Sequence, residues 1–408
     1  MNNEIESHLP ARFSRLSLIA VVLLGLAGIA LRIYPSAGFK GIGYDEGLYR
    51  GYVNNLISYG LGSYPEFAEH YVERQEKLPA AILPPTRFLY IFCAYLWHQV
   101  TGAEALAALH HVSCLFSILL FFAAAAFAWR LAGPEIALAV LALMACAPTQ
   151  VHMAQHALID GFFAFWATLN VWFLWENLRK PNDALRLSLF GASLALMVLT
   201  KENALFAYVG LVALIGMNRW LHFGTVTRKL LLVAVAGPLA GLVGLIFLCG
   251  SAETFIHTYR LLAAKASVLP YAIATGDGPW YRYLVDLLLA SPVIFLLAWG
   301  AIVRPKVDNK AALYLVTFVV ATYILMCNIP YGMNLRYTNM WDMPLRFLAI
   351  TCLGDLTGSF GRRRNLILAI AIVLLCAIDL RQYYIFFVQH DLYELVTAGL
   401  LRALLILK

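Results

Sequence analysis

An all-α polytopic membrane fold is what this sequence predicts, and three observations carry it. Of 408 residues, 62% are hydrophobic and only 13% are charged, about half the charge density of a soluble domain. The mean hydropathy is +0.74. The apolar residues fall into runs close to the roughly 20 residues a helix needs to cross a bilayer, and the short connections between them are basic on one side only. This excludes a soluble globular domain, a disordered chain and a disulfide scaffold. The net charge of +7 does not point to nucleic acid, because the basic residues sit in short clusters between apolar runs and form no stripe on a polar face.

Apolar runs bounded by turn residues predict eleven spans, near 16–34, 105–130, 134–150, 156–176, 186–200, 203–218, 230–249, 284–303, 311–328, 338–357 and 365–388. The first run has no small-residue cleavage site and ends at Arg32 and Pro35, so it is expected to stay as a span. The stretch 88–100 is too short to cross and reads as an interfacial or re-entrant helix. The segment 391–407 mixes Asp391, Glu394 and Arg402 with leucines and reads equally as an interfacial helix or a twelfth span.

With the N-terminus (Arg12, Arg15) on the cytoplasmic side, every inner connection is basic. These connections carry Arg130; Arg179, Lys180 and Arg186; Arg219, Arg228 and Lys229; Arg304, Lys306 and Lys310; and Arg362, Arg363 and Arg364. Counting 88–100 as a crossing would put several of these clusters outside. The chain is therefore read as one integral membrane domain over 1–408. Its first outer loop, 35–104, holds interfacial helices, one near 46–59; a second outer loop covers 250–283 and a short third 329–337. The seven cysteines mostly lie inside apolar runs and make no CxxC, which reads as core packing. No internal repeat is visible, so the inverted-repeat signature of many secondary transporters is missing.

Ionisable residues at membrane depth cost roughly 2.5–3.5 kcal/mol each and need a reason. In this threading Asp45, Glu46, His152, His156, Asp160, Lys201, Glu202 and Arg336 all fall at the outer side, which suggests a polar cavity at the membrane boundary. The pair Asp45-Glu46 could simply begin a helix, favoured there by the dipole; the chemical alternative is a general base with a neighbouring carboxylate that orients it. Lys201 and Glu202, in a very short turn, could be a snorkelling pair; alternatively Lys201 joins Arg336 in neutralising a phosphate. His152, His156 and Asp160 recur every four residues and would form a metal-binding stripe on a continuous helix, but Pro148 and a turn near 150–155 favour polar lining.

These residues resemble a known group, the multi-spanning C-type glycosyltransferases that use polyprenyl-phosphate sugars. The likeness is to the protein O-mannosyltransferase and lipid A aminoarabinose transferase branch. It rests on Tyr44-Asp-Glu-Gly-Leu-Tyr49 in the first outer loop, Leu83-Pro-Pro-Thr86 before an aromatic segment, Ala157-Leu-Ile-Asp160 opening the fourth span, Leu199-Thr-Lys201, and Arg336-Tyr337. It covers roughly 16–357.

The resemblance implies that Asp45 is the base, Glu46 its partner in positioning, and Asp160 a cavity acid, with Tyr49, His156 and Glu202 lining the cavity. Lys201 and Arg336 become phosphate ligands. Leu83 stands where the family has Lys or His, so Lys77 or Arg87 is expected to supply that contact, and His110 stands where an arginine is common.

The expected function is inverting sugar transfer from a polyprenyl phosphate to an acceptor hydroxyl on the outer face of a bacterial inner membrane. The alternative is a transporter or flippase of a lipid-linked or anionic substrate. The polyprenyl-phosphate sugar is the expected co-substrate, a divalent metal is left open, and nucleic acid is not a partner. Without a large outer domain after the last span, a lipid or glycan acceptor is favoured over a protein.

Overall fold

The structure, a computed structural model, describes residues 15–34, 41–265, 268, 279–329 and 333–407. Arg12 and parts of all three outer loops (35–40, 266–267, 269–278 and 330–332) lie outside the described residues. Among the described residues all regular secondary structure is helical. The chain opens with α1 (Arg15–Ile33), α2 (Tyr44–Tyr59), α3 (Tyr64–Lys77) and α4 (Phe88–Thr101). It continues through α5 (Ala105–Ala132), α6 (Pro134–Ala145), α7 (Pro148–Ala154), α8 (Ile159–Arg179), α9 (Ala184–Val198), α10 (Ala204–Leu221) and α11 (Arg228–Leu248). Then come α12 (Ala252–Lys265), α13 (Arg282–Ala290), α14 (Pro292–Val303), α15 (Lys310–Met326), α16 (Asp342–Leu356), α17 (Arg364–Tyr383) and α18 (Thr397–Ala403).

Every predicted span holds a helix, but several are shorter or more broken than a simple crossing. By length and composition α5, α10, α11 and the helical stretch Leu335–Gln389 can each cross a membrane, and α6 with α7, bent by 60°, makes a fifth. The stretch Leu335–Gln389 bends at Gly361, whose φ of +52° a glycine adopts without steric penalty. Helices α1, α9, α14 and α15 are apolar but shorter. Helix α8 is buried along most of its length and carries Asp160, Asn170 and Glu176 into the protein. Helix α1 exposes Leu18, Ile19, Val22, Leu23 and Leu26, and α11 exposes Leu232, Val235, Leu239 and Val243. Outward apolar stripes of this extent suit hydrocarbon and would be untenable in water. Helices α9 and α11 meet closely: a Cβ at Gly237 or Gly241 would stand 2.8 Å from the Gly191 carbonyl or 2.7 Å from that of Ala195, the close approach small residues allow between membrane helices.

Pro148 cannot continue α6, so the chain breaks and leaves carbonyls at the end of α6 without helical donors. Two buried arginines supply them. Arg32 donates to Met144 O at 3.0 Å and to Ser117 Oγ at 3.0 Å. Arg346 donates to Leu143 O at 3.1 Å and is held by Asp342 and by Asp379 at 2.8 Å.

The connection between α1 and α5 is built around the segment 78–87. Pro84 and Pro85 have no N–H and the segment pairs with no strand, so its carbonyls need side-chain donors. Tyr52 donates to Leu83 O, Tyr64 to Pro85 O at 2.5 Å and Tyr71 to Ile82 O at 2.8 Å. Gln75 brackets the same stretch, donating to Ala80 O at 3.0 Å and accepting from Ile82 N at 2.7 Å. At its far end Leu89 N donates to Leu199 O at 2.9 Å, tying the start of α4 to the turn after α9. The open choice at 391–407 is resolved: α18 has seven residues, about 10 Å of rise, and cannot cross.

Candidate functional site

Four sequence-predicted residues meet where α2 joins the bundle. Asp45 lies in the first turn of α2, where Glu46 reaches back to the Gly43 N–H at 2.8 Å and closes the helix start. Asp160 opens α8, and Lys201 lies in the turn between α9 and α10. Arg336 sits in a 3₁₀ turn (Leu335–Trp341) begun by Asn334, whose side chain accepts from Arg336 N at 2.9 Å. Lys201 Nζ donates to Asp160 Oδ1 at 2.7 Å and lies 4.5 Å from the centre of the Tyr337 ring. Arg336 Nη2 is 3.3 Å from Asp45 Oδ2, and its Nε is 4.0 Å from Asp160 Oδ2. Lys201, Arg336 and Asp160 are almost fully enclosed, whereas the Asp45 side chain is 22% exposed.

A second group adjoins the first through α2. Arg87 donates to Tyr49 Oη at 2.5 Å and, through Nε and Nη2, makes a two-pronged pair with Glu202, the Nε contact at 3.1 Å. Burial pushes the Glu202 carboxyl up, but Arg87 outweighs it and holds the pKa down to about 2. Burial lowers Lys201, with Asp160 opposing the shift.

Glu46 engages both carboxylate oxygens within the chain. Besides Gly43 N, it accepts from Ala157 N at 2.7 Å, and His110 Nε2 and His156 Nδ1 stand 3.3 and 3.4 Å from the same oxygen. Burial favours the neutral acid here, yet the hydrogen bonds from the two histidines and Gly43 hold Glu46 well below the usual carboxylate range. Glu46 therefore clamps α2 to α5 and to the α7–α8 connection.

One expectation needs correction, and one alternative that the sequence disfavoured does not form. Lys77 is exposed in the last turn of α3 and joins none of these ion pairs among the described residues. Helix α3 ends there, and the pinned segment that follows carries only Arg87 into the site. The stripe of His152, His156 and Asp160 does not form, because α7 ends at Ala154 and α8 starts at Ile159. Asp160 turns to Lys201, His156 to Glu46, and His152 stacks on Phe387 with ring centres 4.0 Å apart. Among the described residues no group of three or more His, Cys, Asp or Glu side chains is arranged to hold a metal ion. Asp160 and Glu202 are met by the chain's own cations, Lys201 and Arg87.

Sequence reasoning missed the C-terminal contribution. Glu394 Oε2 is 3.2 Å from Arg336 Nη2 and accepts from Asn334 Nδ2 at 2.5 Å. The Tyr393 ring lies 5.7 Å from the Arg336 guanidinium and packs edge-on to His156 at 5.3 Å. The segment is fastened by Leu335 N donating to Leu395 O at 3.0 Å. Gly43 makes room for it, since a Cβ there would come within 2.2 Å of the Tyr393 ring. Burial raises the Glu394 carboxyl above its usual range; Arg336 opposes this and Asp45 adds to it.

No protein-family model and no curated protein matches this sequence. Solved structures do share its fold. The membrane fold of C-type glycosyltransferases is the class it adopts. The oligosaccharyltransferase AglB from Archaeoglobus fulgidus, in complex with an inhibitory peptide and a dolichol-phosphate, superposes with a TM-score of 0.63 at 13% identity over 93% of this chain. The match covers 56% of AglB, so the chain spans just over half the length of that protein. ArnT from Cupriavidus metallidurans matches over 96% of this chain and 70% of its own length. Its apo state gives a TM-score of 0.55 at 16% identity, and the state bound to undecaprenyl phosphate gives 0.52 at 17%.

Proposed function

We propose that this protein transfers a sugar from a polyprenyl-phosphate donor to an acceptor hydroxyl, with inversion, at the outer face of a bacterial inner membrane, its N-terminus cytoplasmic. The observation that carries the proposal is Asp45, a partly exposed carboxylate beside the enclosed cation Arg336, which shares Asp160 with the enclosed Lys201. Support comes from the fold, since AglB and ArnT were solved with dolichol-phosphate and undecaprenyl phosphate.

In the proposed step Asp45 takes the proton of the acceptor hydroxyl as its oxygen bonds to the anomeric carbon. The bond from that carbon to the phosphate oxygen breaks, and the electron pair leaves with the lipid phosphate. Arg336 meets the charge that develops there, with Lys201 and Arg87 adding their field from behind their acidic partners. A phosphate leaves readily once its charge is met, so no acid on the leaving oxygen is required. Glu46 positions α2, Asp160 fixes Lys201, and Tyr49 and Glu202 fix Arg87. The acceptor hydroxyl belongs to a lipid, glycan or protein.

The test is mass measurement of acceptors after incubation of the purified protein, in lipid nanodiscs, with polyprenyl-phosphate sugars. A sugar-sized gain, lost by about 10²–10⁴-fold in Asp45→Asn with folding intact, is expected. Wild-type turnover by Asp45→Asn removes the assignment, and substrate movement without mass gain favours transport.

A further inference from the structure

We infer that Glu394 is a displaceable counter-anion for Arg336, holding the guanidinium while no phosphate is bound and yielding that place to the lipid phosphate. The inference rests on the transfer proposed above and adds to it the group that controls how tightly donor and product phosphate are held. Arg336 is enclosed and faces three carboxylates: Asp45 and Glu394 both reach Nη2, at 3.3 and 3.2 Å, and Asp160 stands 4.0 Å from Nε. Lys201 answers Asp160, which leaves Arg336 shared between Asp45 and Glu394, and a guanidinium so shared offers an incoming phosphate little attraction unless a carboxylate withdraws.

The three differ in their freedom to do so. Asp160 is 4% exposed and tied to Lys201 at 2.7 Å. Asp45 is fixed in the first turn of α2 and is needed beside the reacting hydroxyl. Glu394 is the most exposed, at 32%, and lies on a non-helical segment between the π-helical turn ending at Gln389 and α18. That segment stays anchored when the carboxylate swings away. Tyr393 packs beside Arg336 and His156, and the Leu335–Leu395 backbone bond holds the other side. The Glu394 side chain rotates and gives up, among its bonds, those to Arg336 and Asn334. Its return expels the phosphate product from Arg336.

The sign of this role is opposite to that of a structural or ligand-binding carboxylate: removing Glu394 should tighten phosphate binding. The probe is undecaprenyl phosphate, with uncharged undecaprenol as control, titrated against the full chain in nanodiscs. Wild type should bind the phosphate, and Glu394→Gln should bind it about tenfold more tightly, with undecaprenol affinity unchanged. Glu394→Asp keeps the charge but draws it back from Nη2, and should shift affinity in the same direction by less. It also serves as the reporter if the glutamine variant does not fold. Equal or weaker phosphate binding by the folded variant overturns the inference while leaving the transfer reading intact. A wild type that neither binds undecaprenyl phosphate nor transfers sugar overturns the transfer reading itself.

Discussion

Two buried arginines, Arg336 and Arg346, stand ten residues apart at the same end of the bundle and do different work. Both side chains are at most 2% exposed and both are held by carboxylates. The partners of Arg346 are themselves closed off: Asp379 is 1% exposed at 2.8 Å and Asp342 is 13% exposed, with the Leu143 carbonyl completing the set. The nearest partners of Arg336 are longer and open, with Asp45 22% and Glu394 32% exposed. A guanidinium saturated by enclosed groups is part of the frame. One whose partners face outward can exchange them for a ligand.

Breaking the frame should produce the largest effect on folding. Arg346→Met leaves Asp342 and Asp379 buried without their cation and is expected to destabilise by about 3–5 kcal/mol, seen as a marked drop in the detergent melting temperature. Arg336→Lys tests the other half of the comparison. A lysine has one nitrogen and cannot meet Asp45 and Glu394, both at Nη2, together with Asp160 at Nε, so transfer should fall about 10²–10³-fold while the melting temperature stays within a few degrees. A large loss of stability in this variant would make the two arginines equivalent and dissolve the distinction.

Gly43→Ala attacks the same open side from a distance. The added methyl would collide with Tyr393, forcing the segment around Glu394 to shift at a cost of about 1–3 kcal/mol. Sugar transfer should drop with it, and Gly43→Ser should do the same.

The acid groups sharpen the comparison through pH. Glu46 is held below its ordinary value of 4.5, so its stabilising contribution is whole above that value and is lost as pH falls through the folded-state value. Glu46→Gln should therefore lower the melting temperature at pH 7, with the difference from wild type narrowing on acidification. Glu394 is raised, and the sign reverses. Its ionised form disfavours the fold at neutral pH, and protonation relieves this as pH falls through the raised value. Glu394→Gln should raise the melting temperature at pH 7, and the gain should vanish below about pH 4.5. A lower melting temperature in Glu394→Gln would place Glu394 in the frame instead.

Much of this was legible before any coordinates, for a physical reason. In so apolar a chain each charge stands out, so Asp45, Asp160, Lys201 and Arg336 could be picked individually and their shared side inferred from the basic connections. The helices of the apolar runs followed from run length, and the helix expected near 46–59 is Tyr44–Tyr59, whereas α3 and α12, being polar, gave no such signal. Pairings across long sequence distances were hidden. Nothing near Arg336 signals Glu394, and although Arg346 has Asp342 one helical turn away, nothing in the sequence pairs it with Asp379, which sits singly inside an apolar run. Lys77 looked equivalent to Arg87 because both flank the proline segment; only the tyrosine bonds that pin that segment decide which cation reaches the site.

Those tyrosine bonds give the smallest effect. Tyr71 donates to Ile82 O at 2.8 Å and is 4% exposed, but it lies at the far end of the pinned segment from Arg87. Removing its hydroxyl leaves one buried carbonyl short of a donor, a loss of about 0.5–1.5 kcal/mol, while Tyr64 and Tyr52 still hold Pro85 and Leu83. Tyr71→Phe should therefore lower the melting temperature slightly and leave transfer near wild type. Tyr64→Phe removes the bond two residues from Arg87, and it should cost a similar amount of stability while reducing transfer several-fold as Arg87 and Glu202 lose their fixed register. If both variants reduced transfer equally, the segment would act as one rigid body. If neither did, Arg87 would be positioned by Glu202 and Tyr49 alone.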